Sequence, residues 1–353
     1  QDQKMMEYKM NIEAKENTIE LPNAPKLKDL SFRLLQDARD LPEMVHINDS
    51  LREAGQLSHV TSLPDLTSWF QHPTNCEPSQ DALFAQIAGE AVGYTRVWWE
   101  EEETRPARIY YITLRVMPDW QGSGVDATML NWAENRLIKI AAQHPAGLER
   151  VFSSHLSENS TVQRALLESC GYQPARYFMR MRRGLENLPE SPLPEGVEVR
   201  PMLPRDYRAL WDASVEGFKD EWSSTRVTEV EYQRWLTSSE FQPLIWQIAW
   251  DTRENTIIGM VLNYIDPLEN EAFRRFRGYT EGICVLPNWR GKGVARALIC
   301  RSLAMMKALN MQEVALTVDS DNPSGAQRLY LGLGYQPYQT SLDVRKPMPP
   351  GQS

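Results

Sequence analysis

Apolar residues recur along this chain at two spacings, every second position and every third or fourth, and the two alternate in blocks. Residues 30–35, Leu-Ser-Phe-Arg-Leu-Leu, read as a first strand, and residues 41–56 and 63–72 as helices. Residues 82–87 and 91–98 read as a hairpin and 109–116 as a further strand. The acidic run Glu100, Glu101, Glu102 and Glu103 predicts a solvated turn. In the second half, 197–201 reads as a strand, with helices near 205–217 and 228–238. A second hairpin joins 244–250 to 257–264, a polar loop covers 266–278, and a strand ends at Gly282-Ile283-Cys284-Val285. Beyond it, Ala295, Leu298, Ile299, Met305, Met306 and Leu309 fall on one helical face. Residues 314–318 predict another strand, and Asp319-Ser320-Asp321-Asn322-Pro323 is a helix-start signal.

The pattern is written twice. Val116-Met117-Pro118-Asp119-Trp120-Gln121-Gly122-Ser123-Gly124-Val125 copies the segment from Val285 to Val294, offset by 169 residues. Asn159, Leu167 and Gly171-Tyr172-Gln173-Pro174 copy Asn322, Tyr330 and Gly334-Tyr335-Gln336-Pro337, offset by 163. The difference falls between helix and strand, where residues 141–149 make a longer loop. One internal duplication at this period implies two domains of one fold rather than a solenoid. The expected domains are 1–185 and 197–353, joined by a linker at 186–196 that is proline-rich and without periodicity.

The chemistry concentrates in Arg290-Gly291-Lys292-Gly293-Val294-Ala295, which lies between a strand and a helix. The first amides of a helix have no internal partner, and the helix dipole adds partial positive charge there. Glycine lets a bulky anion approach the backbone closely. The stretch is therefore suited to phosphate, and it is neither a Walker loop nor a dinucleotide fingerprint.

That loop matches an (R/Q)xxGx(G/A) pattern, and Asn322, Leu329-Tyr330 and Gly334-Tyr335 follow it as an N…LY…GF segment. Over about fifty residues this order resembles the GNAT superfamily of acyl-CoA-dependent N-acyltransferases. The resemblance implies an α/β (α+β) fold of two tandem GNAT-like domains, each a mixed, mostly antiparallel sheet flanked by helices. It implies acetyl-CoA as co-substrate and direct attack on its acetyl group by the primary amine of a small acceptor. Residues 290–295 would hold the pyrophosphate, and the strand backbone at Cys284 and Val285 the pantetheine and the oxyanion. Asn322 would steady the pantetheine, although it also suits a helix N-cap.

Such a transfer needs a base for the amine and an acid for the departing sulfur. Tyr330 takes the acid position by resemblance; a tyrosine packing its ring in the core is the plainer alternative. For the base, strand alternation puts Glu281 on one face with Ile283 and Val285. The family's base often lies two residues upstream, here Tyr279, and Asp319 on the next strand is a reserve. All five histidines lie in the first half. The first copy carries Gln121, Asp126 and Leu167 where the second has Arg290, Ala295 and Tyr330. It reads as a degenerate copy that keeps the fold signals and loses the acid. Tandem copies with the intact one last are similar to the mycothiol synthases within the superfamily. A non-catalytic acyl-CoA-binding scaffold stays open as the other reading.

Composition narrows the partners. The chain has 353 residues, 42% hydrophobic, with a formal net charge of −9. This acidity argues against nucleic acid, whose backbone demands a cationic surface. No apolar run is long enough to span a bilayer. The opening Gln1-Asp2-Gln3-Lys4-Met5-Met6 is polar and carries no secretory apolar stretch. Cys76, Cys170, Cys284 and Cys300 are scattered and predict reduced, buried thiols in a cytoplasmic protein with no metal site. A monomer or a homodimer fits equally. Glu216, Phe218, Asp220, Glu221 and Trp222 offer acids beside aromatics, which predicts an acceptor pocket for a small cationic amine.

Overall fold

In the computed structural model, which describes residues 18–102, 104–219, 222, 227–322 and 325–349, the sequence repeat becomes a repeat of structure. The first unit carries β1 (Thr18–Ile19), β2 (Leu30–Leu34), α1 (Leu41–Glu53), α2 (Leu63–Gln71), a short α3 (Pro78–Asp81), β3 (Ala82–Ile87), β4 (Glu90–Glu102), β5 (Ala107–Val116), α4 (Val125–Ala141), β6 (Glu149–Ser157) and α5 (Thr161–Ser169). Its strands lie in the order β1 to β6, with β1 to β4 pairing antiparallel and β5 with β6 parallel.

The chain continues through β7 (Gln173–Gly184), β8 (Val197–Val199), α6 (Tyr207–Phe218), α7 (Glu229–Leu236), β9 (Gln247–Asp251), β10 (Thr256–Tyr264), α8 (Pro267–Ala272), β11 (Arg277–Val285), α9 (Val294–Ala308), β12 (Glu313–Asp319), α10 (Ala326–Gly332) and β13 (Gln336–Pro347). The second unit's strands run β7-β12-β11-β10-β9-β8, antiparallel except for the parallel pair β11 and β12.

The described chain falls into two compact units. Among the described residues, those of 102–106 and 176–342 form the second unit, while residues 343–349 belong to the first. The reason is strand pairing: β7, written at the end of the first repeat, pairs with β12 along its length, from Glu313 opposite Gly184 to Asp319 opposite Phe178.

Local signals explain the helix starts. Ser62 caps α2 by accepting from the Asp65 amide, and Thr228 with Glu231 closes a capping box on α7. Asp266 caps α8, so part of the expected loop at 266–278 is helical. The acidic run is not a solvated turn over Glu100, Glu101 and Glu102. These lie in β4, where Glu101 pairs with Arg108 and Glu102 is buried against Arg105; Glu103 lies outside the described residues. Helix α9 buries Val294, Leu298, Ile299, Leu303 and Met306, while Leu309 lies past its end and is exposed. None of the four cysteines is in a disulfide, and Cys76 and Cys170 are only half-buried. No described helix is long and apolar enough to cross a membrane.

Candidate active site

Parallel pairing between β11 and β12 runs for three residues, from Arg277 opposite Glu313 to Tyr279 opposite Ala315. It then stops, although β11 continues to Val285 and β12 to Asp319. The strands part, and their facing backbone edges line an opening. On its other side β11 stays paired with β10, but the register slips: Met260 lies opposite Cys284 and Leu262 opposite Glu281. Two residues of β11, Gly282 and Ile283, thus face one of β10, a β-bulge. Gly282 has φ of +56°, and a Cβ there would come within 2.9 Å of the Leu262 side chain.

The bulge reverses the alternation and corrects the expected placement of Glu281. Thr280 bonds Tyr335 Oη at 2.8 Å, and Ile283 and Val285 pack in the core that includes α9. Cys284 instead lies beneath Gly217 of α6, where a Cβ would meet its sulfur. Glu281 alternates with Thr280 and so shares the α6 face with Cys284, not with Ile283 and Val285.

From that face the Glu281 carboxylate reaches across the opening. Its Oε1 accepts the Thr317 amide at 2.8 Å. The residue keeps some surface exposure, but the protein around the carboxyl desolvates it and pushes its pKa up to about 8. The bond to Thr317 and the nearby Arg180 guanidinium oppose that rise, while Glu240 adds to it. Tyr279, at the family's frequent base position, is buried with its hydroxyl on Glu269, and burial raises its pKa. The carboxylate of Asp319 is taken by Arg176 of β7, at 2.8 and 2.9 Å, and by the Asp321 amide at 3.0 Å. Arg176 and Arg180, both on β7, are the residues the sequence reading missed. No local signal marks them, because the pairing of β7 with β12 is remote in sequence.

The loop at 290–295 has the expected form. Gly291 and Gly293 adopt φ of +75° and +87°, which glycine alone adopts readily, and Gly293 is the cap of α9. The amides of residues 291–295 have no backbone acceptor among the described residues. A Cβ built at Gly291 or Gly293 would meet nothing within 4 Å, so the space above the loop is open. Arg290 ties the loop down by donating to Val285 O at 3.0 Å and Gly217 O at 3.2 Å. Lys292 lies over the Trp289 ring, 4.8 Å from its centre. Val294 is buried and Ala295 presents only a methyl in the helix's first turn. Unpaired amides, open space and two cations fit a pyrophosphate.

Tyr330 is 6% exposed, in α10, with its ring centre 6.0 Å from that of Tyr335. Its ring is therefore a core element. Asn322 donates its amide to Asp319 O, and Gly325, not Asn322, caps α10. Of the expected acceptor stretch, Glu216 pairs with Lys219, and the Trp222 ring is met by Arg176 and Phe178. Asp220 and Glu221 lie outside the described residues. No group of three or more His, Cys, Asp or Glu able to hold a metal ion occurs among the described residues. In the first unit, Ile112 and Leu167 stand at the positions of Glu281 and Tyr330, as the equivalent pairs Tyr110–Phe152 and Tyr279–Ala315 confirm for the strand.

The profile of the Acetyltransferase (GNAT) family matches residues 46–172 and again 207–335. A mycothiol acetyltransferase of Pseudarthrobacter chlorophenolicus is 26% identical over 314 residues, 86% of this chain and 89% of its own. A GCN5-related N-acetyltransferase from Sphaerobacter thermophilus superposes with a TM-score of 0.68 at 25% identity, covering 95% of this chain and 99% of its own. A tandem GNAT protein from the clavulanic acid biosynthesis pathway, at 13% identity, shares the fold with a TM-score of 0.64 over 92% of this chain and 100% of its own.

Proposed function

The chain belongs to the acetyltransferase (GNAT) family, and from that premise we propose that its second unit transfers an acetyl group from acetyl-CoA to the primary amine of a small acceptor. One observation carries the reading. Where β11 and β12 part, a carboxyl with a raised pKa spans the opening, close in sequence to a loop of unpaired amides.

The loop at 290–295 would hold the pyrophosphate, and the parted strand edges at Cys284 and Val285 the pantetheine, with Asn322 on the β12 side. Acetyl-CoA brings a thioester, which is activated toward amines. Glu281 takes the proton of the attacking amine, directly or through water. A carboxyl titrating near 8 is a stronger base than an ordinary one and is still ionised in part at neutral pH. The amine nitrogen bonds to the acetyl carbon as the carbon–sulfur bond breaks, and Tyr330 returns a proton to the sulfur. A strand amide near Val285 faces the developing oxyanion. The acceptor we propose is a small cationic amine, supported by Glu240 beside Glu281 and by the net charge of −9. With Ile112 and Leu167 in place of base and acid, the first unit contributes stability rather than turnover.

Thiol release from acetyl-CoA, followed with a thiol reagent across a panel of amines, tests this reading. We expect amine-dependent release that falls in Glu281→Gln and Tyr330→Phe. Binding of CoA without release for any amine would leave a non-catalytic acyl-CoA-binding protein. Best turnover of neutral or anionic amines would exclude the cationic class.

A further inference from the structure

We infer that the first unit's counterpart of the acyl-donor seat is filled by the protein's own side chains and takes no CoA. Its loop repeats the glycine geometry of the second, with Gly122 at φ +73° and Gly124 at φ +93°. Two of the amides there, however, are already taken by Asp126. Asp126 stands where the second unit has Ala295, and it is buried, at 6% exposure. One of its carboxylate oxygens accepts the Gly122 amide at 2.8 Å and the other the Ala127 amide at 2.9 Å. A carboxylate at a helix N-terminus satisfies the same donors and dipole that would otherwise draw phosphate. A pyrophosphate arriving there would have to displace it and then face its charge.

The rest of the seat is closed in the same way. Pro25 covers Gly124, so that a Cβ there would lie 3.3 Å from the proline ring, whereas the matching Gly293 is open. Gln121, the counterpart of Arg290, exchanges side-chain hydrogen bonds with Gln56 at 2.7 and 3.2 Å. Along the strand edge, pairing of β5 with β6 extends one residue further than in the second unit, to Tyr111 opposite Ser153. Ser154 then donates to Ile112 O at 2.9 Å, and Gln163 of α5 to Leu114 O at 3.1 Å. The position of Gln163 is Ala326 in the second unit, whose methyl can donate nothing. Two amides of the loop and helix start and two carbonyls of the β5 edge are therefore occupied from within.

The inference concerns the first unit alone and does not depend on turnover by the second. It can be tested on the full chain by following the backbone amide resonances of Gly122, Gly124, Gly291 and Gly293 during titration with CoA, alongside calorimetry. We expect one CoA per chain, with Gly291 and Gly293 shifting and Gly122 and Gly124 unmoved. The variant Asp126→Ala/Gln163→Ala, if its melting shows it folded, should gain a second CoA per chain and a shift at Gly122. Two CoA per chain in the wild type, or a wild-type shift at Gly122 that saturates with CoA, would overturn the inference. A folded double variant that still ignores CoA at Gly122 would do so as well.

Discussion

Glu281 Oε1 accepts the Thr317 amide at 2.8 Å across the opening between two strands that have ceased to pair. One carboxyl thus spans the gap and caps an amide the parting would leave open. The same enclosure pushes its pKa up to about 8. Turnover should therefore rise with pH through about 8, as the carboxyl ionises. Glu281→Gln should lower turnover near neutrality by about 10²-fold, with recovery at higher pH where more free amine is present. A pH–rate profile of unchanged shape would pass the base role to Asp319 or to ordered water. Stability carries the opposite sign. The folded carboxyl keeps its proton up to about 8 and the unfolded one only to about 4.5, so between these values the folded chain binds more protons and loses stability as pH rises. Melting of Glu281→Gln should match wild type at pH 4 and exceed it at pH 9.

Tyr330 is buried in α10 beside Tyr335, so phenylalanine should keep the packing and remove only the hydroxyl. Tyr330→Phe should lower turnover by roughly 10- to 100-fold, at the weak end of acid catalysis because water can substitute. Affinity for CoA by calorimetry should stay within about twofold, a free-energy change near 0.4 kcal/mol. Loss of binding together with loss of melting temperature would make this tyrosine structural only.

Arg290 serves the loop twice, as a cation and as a brace donating to Val285 O and Gly217 O. Arg290→Glu should weaken CoA binding at least about tenfold, roughly 1.4 kcal/mol. Arg290→Lys keeps the charge but not the guanidinium fork, and should fall between glutamate and wild type. Calorimetry that finds glutamate and arginine equal would move the pyrophosphate elsewhere.

Gly282 makes the bulge that turns Glu281 toward α6. Gly282→Ala would combine a left-handed conformation, costing about 1–2 kcal/mol for a residue with a Cβ, with a contact of 2.9 Å to Leu262. Lower resistance to urea and a drop in turnover should appear together. Adding Leu262→Ala should restore turnover in part, since it makes room for the new methyl. Full activity in Gly282→Ala would mean that the bulge does not set the position of the base.

The amino-acid sequence by itself determined the duplication, most of the main elements of each unit, the loop at 290–295 and the greater integrity of the second copy. These are local matters. Glycine at a required φ, apolar spacing within one element and a helix-start signal act over a few residues, so they can be read in order along the chain. Only the tertiary structure decided what pairs with what. The bulge at Gly282 put Glu281 on the opposite face from Ile283 and Val285, because register is set by the neighbouring strand β10. The pairing of β7 with β12 brought Arg176 onto the Asp319 carboxylate. A methyl or a carboxylate in the first turn of a helix looks like a small difference in the sequence. Folding settled that Asp126 curls back onto the Gly122 amide while Ala295 leaves the matching amides unpaired, since that depends on which donors the loop brings within reach.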